Sequence, residues 1–177
     1  MPRVRSGAHP LRVVVVRHGP AEIRDPARWP DDTERPLTPS GVKATRRAAK
    51  GIGRLVDPAP RIVTSRAERA RATAELVHAA VGGARAETWI ELASGRPAEP
   101  ILDRLARSAQ PGEEFLLVGH APGLAEFVGL ALTGDGLPVV RLAKGGAACI
   151  EFAAAVRPGA GRLLWLLTRK QLETLGG

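Results

Sequence analysis

Four consecutive valines, Val13 to Val16, constrain this chain more than any other stretch. β-Branched side chains are stiff and suit extended backbone, and a run with no polar alternation marks a strand buried on both faces. The run predicts a strand at about 12–16. It stops at Arg17-His18-Gly19, which puts a cation, an imidazole and a glycine where the strand would end. In open α/β sheets, ligands bind in the crevice beyond the carboxyl ends of the strands.

Helical patterns alternate with further strands behind this one. Thr38-Pro39 reads as an N-cap followed by proline at the first helical position. Val42, Thr45, Ala49, Ile52 and Val56 then recur at helical spacing. Arg61-Ile62-Val63 is a second short strand. Ser65-Arg66-Ala67-Glu68 matches a capping box, opening a helix with Ala70, Ala74, Val77 and Val81 on its apolar face. A weaker strand at about 85–90 and a helix at about 98–109 come next. Phe115 to Val118 is another buried strand, and Pro122 opens a helix carrying Leu124, Val128 and Leu132. Strands near 147–152 and 162–167 close the pattern.

This alternation predicts one α/β domain over 1–177, a three-layer α/β/α sandwich around a mostly parallel sheet. Residues 1–11 read as a basic, loosely ordered arm. Residues 20–37, with prolines at 20, 26, 30 and 36, read as a long loop beside the first strand's end.

Composition narrows the function classes. A single cysteine, Cys149, excludes an intrachain disulfide and fits a reducing compartment. No secretory signal pattern or membrane span stands out, so the expected location is the cytoplasm. The net charge of +8 invites a nucleic-acid reading. Against it, the basic residues are scattered from Arg3 to Lys170, aromatics make up 3%, and tyrosine is absent. An affinity for small phosphorylated anions explains the sign of the charge equally well.

Three strand ends share one chemical character. The first is Arg17-His18-Gly19, the second Thr64-Ser65 with Arg69 in the following helix, and the third Gly119-His120-Ala121-Pro122. Each follows a strand at its carboxyl end, so all fall on the same edge of a parallel sheet. Two imidazoles and two guanidiniums would meet there beside helix N-termini, which favour anions. Arginine's fork of donors matches phosphate oxygens, and a neutral imidazole can attack phosphorus. A second, protonated histidine can stabilise the equatorial oxygens, and Gly19 would let backbone approach the ligand. Ser65 and Glu68 need no role beyond capping.

These residues resemble the motifs of the histidine phosphatase superfamily, the phosphoglycerate mutase-like fold. Arg17-His18-Gly19 is similar to its defining motif. Ser65, Arg69, Ala70, Thr73 and Ala74 resemble its second motif, with Arg66 in place of proline and Ala72 in place of glutamine. Val118-Gly119-His120 is similar to the third. The Arg35-Pro36-Leu37-Thr38 segment, Gly41, the Lys144-Gly145 turn and the small size resemble the short SixA-like branch, which is associated with phosphohistidine dephosphorylation.

The resemblance implies a metal-independent, cofactor-free phosphatase with His18 as the transiently phosphorylated nucleophile. Arg17, Gly19, Arg69 and His120 would bind the phosphoryl group, and Glu91 is the candidate proton donor, with Glu22 another. The substrate would be a phosphorylated protein or a small phosphorylated metabolite. A phosphoryl-binding or scaffolding protein without turnover is the alternative from another class.

Overall fold

Val13 to Val16 lie near the middle of a six-stranded sheet and are essentially inaccessible to solvent. In the computed structural model residues 9–177 are described, so residues 1–8 of the expected arm lie outside the described residues. Leu11, the arm's last residue, already belongs to the first strand. The strands are β1 (Leu11–Arg17), β2 (Arg61–Thr64), β3 (Glu87–Thr88), β4 (Glu114–Gly119), β5 (Ala147–Phe152) and β6 (Gly161–Leu167), in the order β3-β2-β4-β1-β5-β6.

Neighbours from β3 to β1 pair in parallel, whereas β5 and β6 run antiparallel at the other flank. The sheet is therefore mixed but mostly parallel. The helices are α1 (Pro39–Gly53), α2 (Glu68–Val81), α3 (Glu99–Ser108), α4 (Gly123–Thr133) and α5 (Arg169–Gly176).

Alternation along β1 separates two cores. Val13 and Val15 face α3 and α4, packing with Leu105, Phe115 and Phe127. Val14 and Val16 face α1, α2 and α5, packing with Ile52, Val77 and Leu172. Side chains alternate across a strand, so a continuous valine run serves both layers at once. Each fully buried valine contributes about 1.5–3 kcal/mol of burial free energy.

Three local expectations are corrected by the structure. The capping box at Ser65 does not form: α2 starts at Glu68 with Ala67 as its N-cap, without a side-chain cap. The buried face of α1 is made by Ala44, Thr45, Ala48, Ala49, Gly51 and Ile52, while Val42 and Val56 are only half-buried. Small residues hold that face because α5 approaches closely: a Cβ on Gly51 would sit 2.0 Å from the Leu172 carbonyl oxygen. The weak strand at 85–90 shrinks to Glu87–Thr88. The Thr38 cap does form, its hydroxyl accepting from Gly41 N–H, with Pro39 at the first helical position. Among the described residues no helix is long and apolar enough to cross a membrane.

Candidate active site

β1 ends at Arg17, and His18 and Gly19 turn out of the sheet at its carboxyl edge. His18 N–H donates to the Gly119 carbonyl at 2.9 Å, and Gly145 N–H bridges the Arg17 and His18 carbonyls at 3.1 and 3.0 Å. The imidazole is thus positioned by backbone on both sides. His18 Nδ1 lies 2.7 Å from its acceptor, the Gly19 carbonyl oxygen. A carbonyl can only accept, so Nδ1 carries the ring proton and Nε2 keeps a free lone pair. Burial lowers the His18 pKa to about 3, which leaves that lone pair unprotonated at neutral pH.

Gly19 also helps to hold the turn. Its N–H donates to Thr73 Oγ1 at 3.0 Å, and its carbonyl is taken by His18. A Cβ there would fall 2.0 Å from Thr45 Oγ1. Packing against α1, rather than approach to a ligand, excludes a side chain. Both backbone groups are engaged, and through its carbonyl Gly19 holds His18.

Arg69 projects from the first turn of α2 and is buried. Its Nη1 donates to the Asp32 carbonyl at 2.6 Å and its Nη2 to Asp32 Oδ2 at 3.0 Å. Arg35 holds the same carboxylate through Nε at 2.8 Å. Thr73, one turn along α2, donates to the Arg69 carbonyl at 2.7 Å. Its hydroxyl therefore ties α2 to the Arg17–Gly19 turn.

His120 follows β4, and its ring centroid stands 5.1 Å from that of His18 at 56°. Its Nε2 is 3.0 Å from Ser65 Oγ, and both residues are buried. Ser65 Oγ already accepts from Ala67 N–H at 3.3 Å, so its hydroxyl proton is available to His120. The serine that resembles a helix cap instead orients an imidazole. Burial, reinforced by the charge of Arg69, lowers the His120 pKa to about 4. The protonated second histidine expected from the sequence is disfavoured, because desolvation and the guanidiniums of Arg69, Arg35 and Arg17 act against its charge and outweigh Asp32.

Arg17 Nη1 donates to the Leu142 carbonyl at 2.9 Å. The Nε atoms of Arg17 and Arg69 are buried with no partner. Burial pulls both guanidiniums below their usual pKa, a cost that an incoming anion would offset. A cavity of about 480 Å³ opens over Ser65, Arg69 and His120, with Asp32 and Ile90 also in its walls. A cavity of about 510 Å³ beside α2, lined by Arg71, His78 and Arg85, contains no orphaned buried donor.

The candidate acids each stand against an arginine. Glu91 accepts from Arg104 Nη1 at 2.7 Å, and Arg104 stacks on Trp89. Desolvation opposes ionisation of Glu91, but hydrogen bonds and the arginine charge outweigh it, and its pKa is lowered. It lies beside His120 in a separate small cavity. Glu22 stands 3.7 Å from Arg28. Cys149 is buried in β5, and desolvation pushes its thiol up to about 12, so it offers no thiolate. Among the described residues no three His, Cys, Asp or Glu side chains are grouped to hold a metal ion.

The model of the histidine phosphatase superfamily (branch 1) matches residues 13–96, which span the Arg17–Gly19 turn and the Ser65–Ala74 segment. An uncharacterized protein from Picosynechococcus sp. is 33% identical over 160 residues, covering 89% of this chain and 96% of the relative. This chain belongs to the histidine phosphatase superfamily. As a member it is a histidine-nucleophile phosphatase.

Its fold is similar to that of the protein histidine phosphatase SixA complexed with tungstate. The TM-score is 0.76 at 24% identity, over 91% of this chain and 99% of that one. A proposed phosphohistidine phosphatase SixA from Nakamurella multipartitia gives 0.75 at 23% identity, over 91% and 97%. Within the superfamily, this phosphatase thus shares its architecture with the short SixA-like proteins.

Sequence reasoning points to His18, Arg17, Arg69 and His120, and the structure gathers them at one sheet edge. It does not find Asp32, which clamps Arg69, or assign roles to Ser65 and Thr73. The signal for Ser65 is its place directly after a buried strand. For Asp32 the only signal is its spacing of three from Arg35.

Proposed function

We propose that the protein hydrolyses a phosphoramidate, with phosphohistidine on a protein as the substrate, through a phosphorylated His18. The observation that carries this reading is the Nδ1 hydrogen bond of His18 to its neighbouring carbonyl, which leaves Nε2 as a free nucleophile. Nε2 attacks phosphorus, a bond to Nε2 forms, and the bond to the leaving nitrogen breaks. The leaving imidazole retains or takes up its proton. Water then attacks the same phosphorus, and an O–P bond forms as the P–Nε2 bond breaks. The water's proton leaves with the inorganic phosphate or to solvent, restoring neutral His18.

Arg17 and Arg69 supply the charge for this transfer. Their orphaned Nε groups, with the His120 N–H, are suited to phosphoryl oxygens that gain charge as the group passes in line. The choice of a phosphoramidate rests on the carboxylates. Glu91 and Glu22 are each paired with an arginine, and alkyl esters need an acid for their leaving group more than a phosphoramidate does.

Trapping at mild pH with a labelled phosphoramidate tests the reading. Acid-labile label is expected on His18, and none in His18→Ala. Unchanged turnover in His18→Ala would sink the assignment.

A further inference from the structure

We propose that Arg66 and Arg96 form a second anion subsite in the wall of the cavity over Arg69 and His120, selecting substrates with a further negative group beside the scissile phosphoryl. This rests on the phosphatase reading above and adds a substrate class to it. Both arginines are exposed and line the 480 Å³ cavity that also holds Arg69 and His120. Arg66 directly follows Ser65, the partner of His120, and Arg96 follows the turn that begins at Ile90.

Their charge is what distinguishes them. Among the described residues neither guanidinium has a carboxylate within 4.0 Å, whereas Arg24, on the same wall, stands 3.9 Å from Asp32. Asp32 is the one acidic residue lining that cavity among the described residues, and Arg69 and Arg35 already occupy it. Asp31, outside the cavity lining, feels the charge of Arg66 but forms no ion pair with it. A phosphoryl group on Arg17 and Arg69 would therefore leave two cations without a paired carboxylate facing the remainder of the substrate. Like charges converging on a concave surface focus a field that attracts anions. Ile90, 59% exposed on the same wall, adds an apolar surface for the leaving group.

The complementary chemistry is a carboxylate or second phosphate near the scissile phosphorus. Either an acidic side chain flanking a phosphorylated residue or the second charge of a small metabolite could supply it. Arg66 takes the place that proline holds in the motif the chain resembles, so this selectivity belongs to this chain.

Two matched pairs of substrates test the proposal: phosphohistidine peptides with glutamate or alanine neighbours, and small phosphoramidates with or without a carboxylate. The acidic member of at least one pair is expected to show higher kcat/KM, on the order of tenfold for two exposed ion pairs, falling at high salt. A preference in the peptide pair identifies a protein source, and one confined to the small pair identifies a metabolite. The double variant Arg66→Ala/Arg96→Ala should bring the ratio close to one, and Arg66→Glu/Arg96→Glu should invert it. Arg157→Ala, which removes an exposed charge at a remote turn, should leave it unchanged.

If His18 becomes labelled and all substrates turn over, but neither pair shows a preference, the subsite is wrong and the phosphatase reading stands. The subsite is equally wrong if Arg157→Ala erodes the preference as much as the double variant does. If no substrate labels His18, both fall.

Discussion

The two ends of the central sheet carry similar buried polar groups and treat them in opposite ways. At the amino end of β4, the buried Glu114 carboxylate accepts from Asp57 N–H at 2.6 Å, and burial raises its pKa. Arg12 reaches toward both Asp57 and Glu151 there. At the carboxyl end, His18, Ser65, Arg69 and His120 are just as buried, yet two arginine Nε groups lack partners. An unpaired buried donor costs about 1–3 kcal/mol. One end is therefore satisfied internally, and the other keeps two buried guanidinium donors without a partner. Enclosure alone does not mark a site; cationic donors left unpaired beside two buried imidazoles do.

Substitutions at the two ends should differ most at His18. His18→Ala is expected to lower kcat/KM by about 10⁴-fold or more, whereas Glu114→Gln should stay within about threefold. Comparable losses measured by steady-state hydrolysis would erase the contrast. Arg69→Ala should lower kcat/KM by about 10²–10³-fold, as expected for loss of a donor to developing charge. Asp32→Asn weakens the clamp on that guanidinium and should cost on the order of tenfold, mainly in kcat. An effect confined to KM would make Asp32 a rim residue and not a positioning one.

The histidines also set a pH signature. Their pKa values in the folded protein, about 3 for His18 and about 4 for His120, lie below the ordinary 6.5. Between these limits the unfolded chain binds more protons, so stability rises with pH and is full above about 6.5. It is lost as pH falls toward about 4. His120→Asn should flatten that slope in denaturation curves, and an unchanged slope would contradict its burial as a neutral ring. The smallest effect is expected at Glu91. Glu91→Gln should alter hydrolysis of phosphoramidates and alkyl phosphates alike by less than about threefold, and selective slowing of the alkyl ester would restore it as an acid.

The chain's apolar runs make most of this fold legible. Val13 to Val16 and Phe115 to Val118 read as buried strands because they are short, apolar throughout and bounded by turn signals, and their ends locate His18 and His120. Local pattern does not reveal partners brought together by the fold. Ser65 fits a capping box by spacing, but α2 begins three residues later and its hydroxyl turns to His120. Asp32 lies 37 residues from Arg69, in a loop whose path no periodicity encodes. The face of α1 departs from its pattern because hydrophobicity favours Val42 and Val56, while the approach of α5 selects small residues.

That approach has a mechanical consequence. α1 has two contacts without room for a methyl group, Gly51 against the Leu172 carbonyl in its last turn and Thr45 against Gly19 near its middle. One contact rests on the C-terminal helix and the other on the turn carrying His18, so a shift of α1 at the first would be felt at the second. A methyl group added at Gly51 would force such a shift, so a random screen for inactive variants should recover lesions there, remote from any reacting atom.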